Sequence, residues 1–172
     1  MAVPQIAFNA RATFTWSGDR MYRVYLTNDA LYFIRIGGQG GMDVAVAAGF
    51  GALGGAALSL MRKRGQTKEE ERRAAIDAQG PQALVDAHKH NFRLFPSDVR
   101  ESSIEPAAAP GWHGPHSGRW LVTTGEQKLS LQFETPEDMV VALAHLPRLL
   151  GDRLRVNVAW SEKKGRFERP RT

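Results

Sequence analysis

Residues 21–36 read MYRVYLTNDALYFIRI, two runs of alternating side chains joined by Asn28-Asp29. This is the feature that most restricts the fold. Period-two alternation places successive side chains on opposite faces of a strand, and Asn and Asp bond their own backbone in a tight turn. In "MYRVYLT", Tyr22, Val24 and Leu26 share one face, and Arg23, Tyr25 and Thr27 share the other. "ALYFIRI" is rich in the aromatic and β-branched residues that suit a pleated surface, and Gly37-Gly38 ends it. Upstream, "RATFTW" alternates Ala12, Phe14 and Trp16, and "SGD" turns the chain. The expectation is a three-stranded antiparallel meander.

The pattern then changes. Residues 39–90 read as a helical insertion. Val44 to Met61 carries no charge and is rich in Ala and Gly, and Arg62, Lys63 and Arg64 follow it. In "TKEEERRAAIDAQG", Thr67 and Glu70 stand at capping-box spacing and Gly80 suits the C-terminal end. Pro81 opens a short helix, "PQALVDAH".

Strand signals resume at "NFRLF" and "VRESSI", separated by "PSD". Residues 106–118 hold three prolines and three glycines and read as a loop. "RWLVTT" and "QKLSLQF" flank Gly125-Glu126 as a hairpin, with Leu129, Leu131 and Phe133 on one face. "TPEDMVVALAHLPRLLG" is the clearest helix. Thr135 caps it, Pro136 takes the first position, and Glu137 and Asp138 meet the positive end of its dipole. Met139, Leu143, Leu146 and Leu150 form its apolar stripe, and Pro147 is expected to kink or loosen its last turn. "RLRVNVAW" reads as one further strand, the eighth.

Three strands, a helical insertion, four strands and a capped helix resemble the pleckstrin-homology-like fold, including GRAM-type and bacterial members. The resemblance rests on "MYRVYLTNDALYFIRI" and "NFRLFPSDVRESSI" and on element order. It implies an α+β, mainly β fold: a curved antiparallel barrel of about seven strands plugged by the C-terminal helix, here with a Gly/Ala-rich insertion and an extra C-terminal strand. The domain is expected to span 10–160, with the insertion at 39–90 and a basic, disordered tail at 161–172. Relatives in eukaryotes bind phosphoinositides through a basic residue, any residue, then Arg in the first hairpin. Here Arg20 and Arg23 stand one position farther apart.

The apolar stretch has several readings. As a helix, 18 residues reach about 27 Å, against a hydrocarbon core of ~30 Å. A single crossing would separate strands that share one sheet, so topology argues against a membrane span. Ala47, Gly51, Gly55 and Ser59 recur every four residues and make a smooth face for close approach. That face fits burial in the monomer, self-association, or insertion at a membrane surface with Arg62, Lys63 and Arg64 at the head groups.

Composition narrows the function classes. The net charge is +5, of which residues 161–172 supply +3 from five basic and two acidic residues. A basic stripe with interleaved aromatics is not seen, so nucleic acid is not an expected partner. With no cysteine, a disulfide framework, a thiol nucleophile and a Cys-ligated metal are excluded. The first residues carry neither a charged n-region nor a continuous apolar run, so a cytoplasmic location is expected, with a peripheral position at the inner membrane face. No Walker, dinucleotide or nucleophile-elbow motif occurs, so no catalysis and no cofactor are expected. The expected function is a non-enzymatic module docking on a membrane surface or a protein, with Arg20, Arg23 and Arg62–Arg64 as binding residues. An alternative is a metal site or metalloenzyme built on the H-x-H pair His88 and His90, the H-x-x-H pair His113 and His116, and Asp86.

Overall fold

The computed structural model describes residues 6–13, 19–38, 77–78, 80–107 and 116–170. Residues 44–61, the basic triplet 62–64 and His113 lie outside the described residues, and with them the expected packing face of Ala47, Gly51, Gly55 and Ser59.

The described chain is α+β and mainly β. Strands β1 (Ile6–Ala12), β2 (Arg20–Leu26), β3 (Leu31–Gly38), β4 (Phe92–Leu94), β5 (Val99–Pro106), β6 (Gly118–Thr124), β7 (Lys128–Phe133) and β8 (Leu154–Val156) form one sheet. Its order is β4-β3-β2-β1-β7-β6-β5-β8. Neighbours are antiparallel apart from β5 and β8, which run parallel. The chain thus builds two meanders and joins them where β1 meets β7. Helix α1 (Pro81–Leu84) and a 3₁₀ turn (Val85–Ala87) lie between β3 and β4, and α2 (Pro136–Leu150) follows β7. A two-stranded ribbon, β9 (Ala159–Ser161) and β10 (Arg166–Glu168), follows β8.

One face of the sheet carries the main core. Phe8, Val24, Phe33, Ile104, Trp120, Leu131 and Phe133 are fully buried there under Met139, Ala142 and Leu146 of α2. The expected stripe of α2 is therefore the buried one, with Leu143 only partly covered. Thr135 accepts the Asp138 N–H through its hydroxyl at 3.1 Å and donates to the Asp138 carboxylate at 2.7 Å. Asp138 also accepts the Asn9 backbone N–H at 2.7 Å, which fixes the start of α2 on β1. The helix runs through Pro147 to Leu150, and Gly151 N–H bonds the Pro147 carbonyl to close the last turn.

Three sequence expectations need correcting. The first described strand is Ile6–Ala12, which begins five residues before the expected stretch 11–16, and residues 14–16 of that stretch lie outside the described residues. It pairs from Ile6 opposite Leu26 to Ala12 opposite Arg20. Phe8, Ala10 and Ala12 keep the expected phase, but two of the three are alanines, which carry little hydrophobic signal. The eighth strand stops at Val156. Asn157 N–H still reaches the Ile104 carbonyl at 2.9 Å, and then Val158 turns inward to join the core. The tail is also ordered through Pro170: Phe167 is 8% exposed and meets Trp160 edge-on at 5.1 Å. Gly165, at φ 58°, makes the turn, and Glu168 bonds both Lys164 and Arg166. Counting charges hides the one aromatic side chain that anchors this segment.

Candidate functional site

Among the described residues, cationic side chains from separate segments act on one another near one edge of the sheet. They lie where β2 begins, β3 ends and β4 begins. Tyr22 stands opposite Arg35 in the β2–β3 register. Both are in phase with the core face, as is Arg20. The Arg20 guanidinium donates to the Tyr22 hydroxyl. Burial raises the Tyr22 pKa, and the Arg20 bond and the charges of Arg20 and Arg35 only partly oppose that rise. Beneath them lies an aromatic floor. Phe33 and Phe92 stack at 4.3 Å, and Tyr22 meets both edge-on at 6.0 and 5.6 Å.

The turn 88–91 completes the rim. Asn91 holds it in place: its carboxamide oxygen accepts the Arg35 backbone N–H at 2.8 Å, and its amide donates to the Leu84 carbonyl at 2.7 Å. The rings of His88 and His90 lie 5.3 Å apart. His88 Nδ1 accepts the His90 backbone N–H at 3.1 Å, so its ring proton sits on Nε2. Desolvation lowers the His90 pKa, and the charges of Arg20, Lys89, Arg35 and His88 lower it further. Cationic side chains of three segments, Arg20, Arg35 and Lys89, thus act with His88 on the His90 ring. Chemically this suits an anion with several oxygen acceptors.

Of the expected binding residues, Arg20 belongs to this rim and Arg23 does not. Three positions along a strand put them on opposite faces. Arg23 lies on the outer face, where it grips Asp77 through two bonds of 2.9 Å and reaches Asn9 Oδ1 at 3.3 Å. Tyr25, beside it, donates its hydroxyl to Asp77. Burial lowers the Arg23 pKa, but the Asp77 carboxylate outweighs it and the net shift is upward. Burial and then Asp77 raise the Tyr25 phenol well above its ordinary value. Arg23 is thus a structural tie between β2 and the end of the insertion.

Of the four histidines of the expected metal set, His113 lies outside the described residues. His88 and His90 adjoin, whereas His116 hydrogen-bonds the Gly118 carbonyl at 3.1 Å ahead of β6. Among the described residues, no three His, Asp or Glu side chains come together to hold a metal. A separate groove of about 390 Å³ crosses β5 to β8, lined by Ser103, Leu121, Thr123, Lys128 and Arg155 among others. It contains none of the sequence candidates. Among the described residues no helix is long and apolar enough to cross a membrane.

Arg35 and Lys89 escaped the sequence reading. Arg35 had a signal: it is in phase with Leu31 and Phe33 on the core face, so a charge there marks the mouth of the sheet. Lys89 had none, because only the fold of the insertion's last turn carries it there. Neither a family model, nor a curated protein, nor a solved structure matches the chain.

Proposed function

We propose that the chain is a non-enzymatic docking module of pleckstrin-homology-like kind. In this reading the sheet curves into a barrel around α2, and the rim of Arg20, Arg35, His88, Lys89 and His90 rests on the anionic head groups of a membrane at its cytoplasmic face. The observation that carries it is that Arg20 and Arg35, from two strands, act on both His90 of the turn and Tyr22, which meets Phe33 and Phe92 edge-on. A strand order that joins two meanders, with a helix on the core face, is consistent with the barrel. Guanidinium groups bind phosphate oxygens bidentately, and each basic residue held at an anionic surface contributes about 1 kcal/mol.

Vesicle co-sedimentation tests the reading. The protein should bind vesicles containing phosphatidylglycerol, ignore pure phosphatidylcholine, and release as salt rises. Lys89 is exposed, so Lys89→Glu leaves the fold intact and should weaken binding on the order of tenfold or more. Equal binding to neutral vesicles, or full binding by Lys89→Glu, would remove the rim from the function.

A further inference from the structure

We propose that the outer face of β5–β7 is an interface with a second copy of this chain, the two sheets meeting face to face about a two-fold axis that runs along β6. The proposal is independent of the docking reading and stands on strand register.

The register sets three rows of side chains across this face. Glu101, Thr123 and Lys128 form the first, Ser103, Leu121 and Ser130 the second, and Glu105, Arg119 and Gln132 the third. The first two rows line the groove, and Leu121 at its centre is only partly covered. The first row is asymmetric in charge, with an acid at one end, a hydroxyl in the middle and a base at the other end. Glu101 and Lys128 are exposed and have β6 between them. Among the described residues neither has an ion-pair partner. Glu105, by contrast, is engaged. It accepts the Asn157 amide at 2.6 Å and lies 3.6 Å from the Arg169 guanidinium.

This pattern is complementary to itself in one arrangement. Two copies that pair through the same patch are related by a two-fold axis, which for stacked sheets lies in the plane of contact. An axis along β6 carries β5 of one copy over β7 of the other. Glu101 then faces Lys128 of the second copy, and the pair occurs twice. Ser103 faces Ser130, and Thr123 and Leu121 each meet their own equivalents on the axis. An axis across the strands through Leu121 would instead set Glu101 against Glu105, and like charges placed opposite each other repel. With the axis along β6 the third row sets Arg119 against Arg119. Stacked sheets cross at about 30°, so the contact centres on the first two rows and parts towards the third. One leucine with its hydroxyl neighbours is a small contact. It belongs with the weak interfaces in which charge selects the partner.

Sedimentation equilibrium of the full chain over a range of concentrations tests the proposal. The wild type should form a reversible dimer that dissociates as salt rises. Glu101→Lys and Lys128→Glu each set like charges opposite one another twice. Each should raise the dissociation constant on the order of tenfold or more. Both positions are exposed, so circular dichroism should show the fold retained. The double variant Glu101→Lys/Lys128→Glu exchanges the ends of the row and should recover the wild-type association. The two single variants, mixed, should pair with each other although each alone does not. A wild type that stays monomeric, association that ignores the single reversals, or a double variant that fails to recover overturns the proposal.

Discussion

The two meanders of the sheet differ in what their outer faces do. In β5–β7 the inner face holds Ile104, Trp120, Val122, Leu129 and Leu131, while the outer face shows Ser103, Thr123 and Ser130 to an open groove. In β2 and β3 both faces are apolar and buried. Tyr22, Val24, Leu31 and Phe33 enter the main core, and Met21, Tyr25, Tyr32, Ile34 and Ile36 form a second cluster with Ala30 on the opposite side. Ala7, Leu84 and Val85 pack against that second cluster, and Asp77 ties to it. The difference shows why a long insertion sits between β3 and β4. A sheet that is apolar on both faces needs a second layer, and the chain supplies one from the loop that leaves the doubly buried meander.

The strongest way to break the comparison is to cut into each face in turn. Phe33→Ala removes a ring stacked on Phe92 at 4.3 Å and on Trp120 at 6.2 Å. It should cost about 3–5 kcal/mol in denaturant unfolding. Ile34→Ala, one residue along on the outer face, should cost about 2–4 kcal/mol. The matching outer position in the other meander, Leu121, is only partly covered, and Leu121→Ala should cost about 1 kcal/mol or less. Equal losses at Ile34 and Leu121 would erase the distinction between the halves.

A smaller effect sharpens it. Asp77→Ala leaves Arg23 without its bidentate carboxylate and Tyr25, 1% exposed, without its acceptor. Removing an acceptor from a buried donor costs about 1–3 kcal/mol. Hydrogen exchange should speed up in residues 81–87 and β3 and leave β5–β7 unchanged. Uniform acceleration would mean that the second layer is not a separate unit.

The smallest effect expected is on alkaline stability. Tyr22 on the inner face and Tyr25 on the outer face both have raised phenol pKa values, Tyr22 from burial and Tyr25 from burial and then Asp77. A raised folded pKa stabilises fully below the unfolded value of 10.0 and is lost as pH rises beyond it. Thermal melts should therefore weaken above about pH 10. Tyr25→Phe should reduce that dependence in part, because Tyr22 retains its own share. An unchanged pH profile in Tyr25→Phe would show that the outer layer does not shield the phenol.

The amino-acid sequence by itself determined the local elements and their order. Alternation in 21–36 and in 128–133 placed β2, β3 and β7, and the Thr135-Pro136 cap with its acidic first turn placed α2, because these signals act between residues close in the chain. Where the pattern was carried by a small residue, as at Ala10 of β1, or by one aromatic among charges, as in Phe167, it was too weak to read. Only the tertiary structure decided which face each charge serves. Arg20 and Arg23 look alike in sequence, yet one joins the rim with Arg35 and His90 and the other is held by Asp77, 54 residues away. The physical reason is that a charge takes its role from the field and partners around it. Those partners come from β3, from the turn before β4 and from the end of the insertion, segments that only packing brings together.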